Sequence, residues 1–224
     1  MSEWKELKNI EKVALDQKYI VFYAENSASF NHYKLLIEEL VENQKITICY
    51  VTSVKNDKIF QIKNTKINSF YIGKGTARTK FFLTLKALIL VMDMPDLERF
   101  HIKRSKVYPV HYVYVFHSIF SSHTYLRKSA LDDFDTIFCV GQHHIDEIRE
   151  VEKIYGSKKK NLIKYGYGRL DQLIDQRKKE DFHENKKLVI IAPSYGKDNL
   201  IQTCGTVSYT HLRAHETPEH RGMR

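Results

Sequence analysis

Apolar positions along the chain fall in short runs separated by amphipathic stretches. "YIVFYA" (19–24), "ITICYVT" (46–52), "SFYIG" (69–73), "LILVMD" (88–93), "YVYVF" (112–116), "DTIFCVG" (135–141), "KNLIKYG" (160–166) and "LVIIAPS" (188–194) are rich in β-branched and aromatic residues and bounded by polar or turn residues. They read as buried strands. Between them, "SFNHYKLLIEELVEN" puts Phe30, Tyr33, Ile37, Leu40 and Val41 on one helical face, with Ser27 or Ser29 as cap. Further helices are expected from about Thr76 to Ala87, over 143–155 and over 169–179, and 121–131 is a possible one. Lys55–Lys66 alternates charged with single apolar residues and reads as a hairpin or edge segment. Strands interleaved with helices predict an α/β fold, a Rossmann-like doubly wound parallel sheet. Ligands of such sheets bind outside the carboxyl ends of the strands. Glu25, Asp93, His117, Gly141 and Ser194 would all stand there.

Composition narrows the class. An apolar share of 42% in 224 residues is ample for a packed core. The N-terminus "MSEWKELKNIEKVALDQK" lacks the apolar stretch of a secretory leader. The longest apolar run, "FFLTLKALILVM", has 12 residues with Lys86 inside, too short to span a bilayer. Cys49, Cys139 and Cys204 are widely spaced and odd in number, which suits a reducing cytoplasm and buried thiols.

The last 19 residues differ from the rest. Residues 1–205 hold 26 Lys against 7 Arg, whereas 206–224 hold no Lys, Ile or Asn but three Arg and three His. "VSYTHLRAHET" within it resembles the translation of a common transposase sequencing adapter. Residues 206–224 are therefore expected to be an artefactual, disordered tail, and His211, His215 and His220 are set aside as ligands. "QRKKEDFHENKK" (176–187), with 8 charged residues in 12, reads as a solvated linker. The expected organisation is a domain over 1–187 including that linker, the start of a second domain over 188–205, and the tail.

Net charge is +9, and residues 1–205 alone carry 33 basic against 25 acidic side chains. The densest clusters are "KKK" (158–160) and "RFHIKRSK" (99–106), which contains Arg99, Lys103, Arg104 and Lys106. Such a patch attracts an anionic membrane or polymer. Nucleic acid is not expected, because no recognition motif is present and the aromatics lie in strand interiors.

Candidate chemistry concentrates after the strand ends. "VHYVYVFHSIFSSHTYL" (110–126) carries a buried strand into His117, a base or a helix cap. His123 and Arg127 share a face at i, i+4 if 121–131 is helical. His143 and His144 follow Gly141 at a helix start, an anion site or a plain β–α turn. His143 and Glu147 lack a third ligand, so no metal is expected. "YIGKGTAR" (71–78) is a tight turn whose Lys74 and Arg78 would face phosphates. In "GYGRLD" (166–171), Arg169 either meets a phosphate or pairs with Asp171 or Asp175.

"FHSIFSSHTYLRKSALDDFDTIFCVGQHHIDEI", then "YGYGRLDQL", then "IIAPSYGKDN" resemble the CDP-glycerol glycerophosphotransferase family, the teichoic-acid polymerases and primases. The resemblance covers about Phe116 to Asn199. It departs where many members have His-Gly for His117-Ser118 and Ala-Pro-Thr-Trp for residues 192–195. It implies the N-terminal, acceptor-side half of a GT-B transferase, with the donor half and its second histidine outside the chain, so that the chain alone would be inactive. His117 would be the general base. Ser118, His123, Arg127, Lys74, Arg78 and Arg169 would meet substrate, with Gly141, His143 and Ser194 at the cleft. The partners implied are CDP-glycerol or another nucleotide-activated donor, a lipid-linked acceptor and an anionic membrane surface, with no cofactor, at the cytoplasmic face of the membrane. A nucleotide-sugar glycosyltransferase of capsule assembly, or a non-catalytic basic docking module, are the alternatives.

Overall fold

In the computed structural model, residues 2–178 are described. The chain divides into two units, Met1–Lys179 and Glu180–Arg224, and the described residues belong to the first. The expected boundary at 187/188, Ser194 and the segment 206–224 lie outside the described residues.

Seven strands form one sheet: β1 (Ile20–Ala24), β2 (Ile48–Thr52), β3 (Ile67–Tyr71), β4 (Ile89–Met92), β5 (His111–Val115), β6 (Thr136–Cys139) and β7 (Asn161–Lys164). Their spatial order is β3-β2-β1-β4-β5-β6-β7, and every pair is parallel. This is the Rossmann-like arrangement that the interleaved pattern predicts. The order reverses between β1 and β4, where Ile20 pairs with both Ile48 and Ile89.

Side chains alternate across β1. Val21 and Tyr23 face a core shared with Leu7 and Ile10 of α1 (Glu3–Lys12), Phe81 and Phe82 of α3 (Thr76–Thr84) and Ile148 of α4 (Gln142–Tyr155). Phe22 and Ala24 face the other core, closed by Phe30, Tyr33 and Ile37 of α2 (Ser29–Glu38). Burial on both faces is why the strands read as continuous apolar runs. Each large side chain so buried stabilises the fold by roughly 1.5–3 kcal/mol. The last helix, α5 (Gly168–Arg177), lies against α2, with Gln172 Nε2 donating to the Asn31 carbonyl at 3.0 Å.

Several local expectations give way. Lys55–Lys66 is no hairpin: a 3₁₀ turn at Lys58–Gln61, capped by Asp57, carries β2 to a parallel β3. Residues 121–131 are not helical beyond a 3₁₀ turn at Ser122–Thr124. There the Ser122 N–H and hydroxyl both donate to Glu147, Thr124 donates to the Ser121 carbonyl, and Ser129 takes a φ of 66°. Local side-chain bonds have displaced the helical ladder. Neither serine caps α2: Asn26 accepts from the Ala28 N–H, while Ser29 turns to Asp93. The charged N-terminus forms helix α1. Its last carbonyls accept from Lys18 Nζ (2.9 Å from Ile10), a buried amine whose pKa burial lowers.

Candidate functional site

The strand ends on the carboxyl side deliver Glu25 after β1, Asp93 after β4, His117 after β5 and Gly141 after β6. Two of these, Asp93 and His117, come into direct contact. His117 is half-buried, and its Nδ1 lies 3.1 Å from the main-chain carbonyl of Asp93. A carbonyl only accepts, so Nδ1 donates and the neutral ring keeps its lone pair on Nε2. Tyr167 donates its hydroxyl to the His117 carbonyl at 3.1 Å, and the Tyr125 ring stands edge-on at 5.8 Å. The imidazole is thus held by residues from three separate segments.

Asp93 is fixed as firmly. It is 6% exposed, and its Oδ1 lies 3.0 Å from the Ser29 hydroxyl and 2.8 Å from that of Tyr33. The Tyr33 hydroxyl in turn accepts from the Asp93 N–H at 2.6 Å. Burial, with the nearby carboxylate, pushes the Tyr33 phenol well above its ordinary value, so it stays protonated as a donor.

His32, on α2, was not singled out from the sequence. Its ring stands 6.0 Å from His117 and 6.2 Å from Tyr167, and its Nδ1 is buried without a hydrogen-bond partner. Burial lowers its pKa, opposed by Asp93 and reinforced by His117 and Arg169. Inside a helical apolar pattern, His32 carried no signal. Only the reversal of strand order, which sets the start of α2 beside the end of β4, brings it to the site.

The other candidates scatter. Arg78 is buried against Glu25, its Nη1 at 2.8 and 3.0 Å from the two carboxylate oxygens, and so braces the end of β1 instead of opening toward phosphate. Tyr23 completes that brace by hydrogen-bonding Glu25 and Ser53. Lys74 reaches Glu25 at 3.4 Å, yet its side chain is 60% exposed and free to turn outward. Ser118 lies beside His117, bonded to Tyr125, whose phenol burial pushes up to about 12. Arg169, in the first turn of α5, is half-buried close to His32. His123 is exposed on the 3₁₀ turn, and Arg127 pairs with Asp96 at 3.0 Å, so the shared helical face expected for them does not exist.

At the start of α4, Gly141 is the N-cap residue. His143 Nε2 lies 3.2 Å from the Ile119 carbonyl, and the fully buried His144 stacks on Phe116 and reaches the Phe120 carbonyl at 2.8 Å. Both rings pin the chain just after His117. In the basic segment, Arg104 is structural: it donates to the carbonyls of Asp133 (2.6 Å) and Val110 (3.1 Å), pairs with Asp135 at 2.9 Å and covers the Tyr112 ring. Lys103 donates to the Glu98 carbonyl, while Arg99 and Lys106 are exposed. Among the described residues no three His, Cys, Asp or Glu side chains gather as a metal site, and no helix is long and apolar enough to cross a membrane.

An imidazole with a fixed tautomer, one strand from the switch point of a parallel sheet and bonded to the strand end that flanks it, suits proton transfer to or from a bound hydroxyl. The sequence matches the model of CDP-glycerol:poly(glycerophosphate) glycerophosphotransferase over residues 6–219. No curated protein and no solved structure gives a significant match. The chain therefore belongs to the CDP-glycerol:poly(glycerophosphate) glycerophosphotransferase family, and its function is of the glycerophosphotransferase kind.

Proposed function

We propose that these residues form the acceptor-side half of a GT-B transferase that moves glycerol phosphate from CDP-glycerol to a membrane-linked acceptor, with His117 as general base. The observation that carries this reading is the hydrogen bond from His117 Nδ1 to the Asp93 carbonyl. It leaves Nε2 unprotonated and fixes the ring at the carboxyl end of β5. Nε2 takes the proton of an acceptor hydroxyl as that oxygen attacks the β-phosphorus of the donor. The new O–P bond forms while the bond from the β-phosphorus to the bridging oxygen breaks, and cytidine monophosphate leaves. The Asp93 carbonyl supports the imidazolium so produced. In this reading Arg169 and Lys74 meet phosphate, and the exposed Arg99 and Lys106 meet an anionic surface.

The test is transfer from CDP-glycerol by the full transferase, with both halves present. His117→Ala is expected to lower kcat by roughly 10²–10⁴, the usual worth of a general base. Retention of normal kcat by this variant would overturn the assignment. ¹⁵N NMR of the ring supplies an independent check, since protonation of Nε2 instead of Nδ1 in the neutral form would contradict the proposed tautomer.

A further inference from the structure

A cavity of about 300 Å³ lies away from His117, between α4 and the segment that returns from β5 to β6. That volume is at the lower end for small-molecule sites. Its apolar walls come from Leu126, Ala130, Ile148, Val151 and Ile154.

The way α4 builds this wall is unusual. Glu152 occupies the inward position of the helix, 5% exposed, because it accepts from the Lys160 N–H and pairs with Arg149. The apolar row Ile148, Val151, Ile154 is correspondingly rotated outward. Ile148 is in the core, Val151 is half-buried, and Ile154 is 61% exposed at the mouth. Tyr155 beside it is 53% exposed. Neighbouring exposed apolar side chains of this size mark a contact surface.

Charge at the cavity is almost wholly cancelled. Lys160 lies against Asp132 and Glu152, Arg127 pairs with Asp96, and Glu150 lies near Lys153. Lys128 is the exception. It sits over the Tyr155 ring at 3.8 Å and has no carboxylate partner among the described residues. On the far side, Arg127, which lines the cavity, covers the Phe100 ring at 4.6 Å, next to Arg99 of the basic segment. An apolar slot with a single uncancelled cation at its lip matches a molecule with a hydrocarbon tail and an anionic head.

We infer that this cavity takes the acyl chain of an anionic membrane lipid, with Lys128 meeting the lipid phosphate and Ile154 and Tyr155 entering the interfacial layer. The inference deepens the membrane part of the proposed function and is independent of the role of His117. Amphipathic tyrosine and a lysine with its aliphatic stem are the side chains suited to that layer.

The experiment uses the whole chain in two arms. The first is dihexanoylphosphatidylglycerol below its micelle concentration, followed by methyl NMR, with dihexanoylphosphatidylcholine as comparison. The second is cosedimentation with vesicles of phosphatidylglycerol or of phosphatidylcholine. Shifts are expected at Leu126, Val151 and Ile154 with the monomeric anionic lipid, and weaker ones with the zwitterionic lipid. Lys128→Glu and Ile154→Asp are both at exposed positions, so the fold is expected to persist, checked by circular dichroism. Lys128→Glu reverses the charge and should weaken binding by more than the fivefold, ~1 kcal/mol, that one lost cation near an anionic surface is worth. Equal binding of the two monomeric lipids, no binding of either, or unchanged binding by both variants would overturn the inference. Loss of vesicle binding on changing Arg99 and Lys106, with the monomeric lipid ignored, would leave membrane docking standing and remove the cavity from it.

Discussion

The imidazoles of His32 and His117 stand 6.0 Å apart, ring centre to ring centre, one on α2 and the other at the end of β5. Burial holds His32 below the ordinary histidine value, and His144 likewise. A base whose folded pKa is depressed is protonated more readily in the unfolded chain. Its contribution to stability is complete above the unfolded value near 6.5, declines below it, and is lost as pH falls through the folded value. The melting temperature is therefore expected to fall between pH 7.5 and pH 5. His32→Phe should flatten that fall. An equally steep fall in the variant would show that His32 takes no part in it.

A second expectation separates Arg78 from Lys74, two cations on one carboxylate. The side chain of Arg78 is 10% exposed and that of Glu25 17%, so removing the guanidinium strands a nearly buried charge. Arg78→Met should cost on the order of 3 kcal/mol in urea unfolding. The side chain of Lys74 is 60% exposed, and Lys74→Gln should cost about 1 kcal/mol or less. If Lys74 meets acceptor phosphate, its variant should raise KM with kcat little changed. A large stability loss from Lys74→Gln, or none from Arg78→Met, would reverse the two roles.

The sheet was legible because burial on both faces leaves an unmistakable trace: unbroken apolar runs at "VFYA" and "ICYV" that become the fully buried centres of β1 and β2. His117 was legible for a related reason, since a polar side chain at the point where such a run stops stands where burial ends. Pairings between distant residues were not legible. Nothing in "GKGTAR" indicates that Arg78 finds Glu25, 53 positions away, and nothing in "RFHIKRSK" separates Arg104, bound to Asp135, from the exposed Arg99. The helix possible at 121–131 failed because Glu147, 25 positions on, claims Ser122. His32 stayed hidden because its partner ring is assembled by sheet order and not by spacing.

Membrane binding provides the third test. Arg99→Gln with Lys106→Gln should weaken binding to phosphatidylglycerol vesicles, at about 1 kcal/mol for each side chain near the surface, and the loss should shrink as salt rises. Arg104→Gln should act on stability instead, by about 2 kcal/mol or more, since it removes charge-assisted bonds to two carbonyls and a carboxylate. Vesicle binding that survives the double change would place membrane contact elsewhere. A stable Arg104→Gln protein that binds poorly would return Arg104 to the surface group.

The last prediction concerns what Asp93 gives to His117. Two contributions are possible in principle: the main-chain carbonyl, which fixes the tautomer, and the carboxylate charge, which favours the imidazolium. Asp93→Asn separates them, because it keeps the carbonyl and removes the charge. The amide oxygen can still accept from Ser29 or Tyr33, so the fold should persist, with some stability lost. If the carbonyl dominates, ¹⁵N NMR will still find Nδ1 protonated, and kcat will fall only about tenfold, equivalent to ~1.4 kcal/mol in the barrier. His117→Ala should fall much further, by the 10²–10⁴ of a lost base. Equal losses of kcat in the two variants, with the tautomer intact, would make the carboxylate an essential participant and the carbonyl bond merely structural.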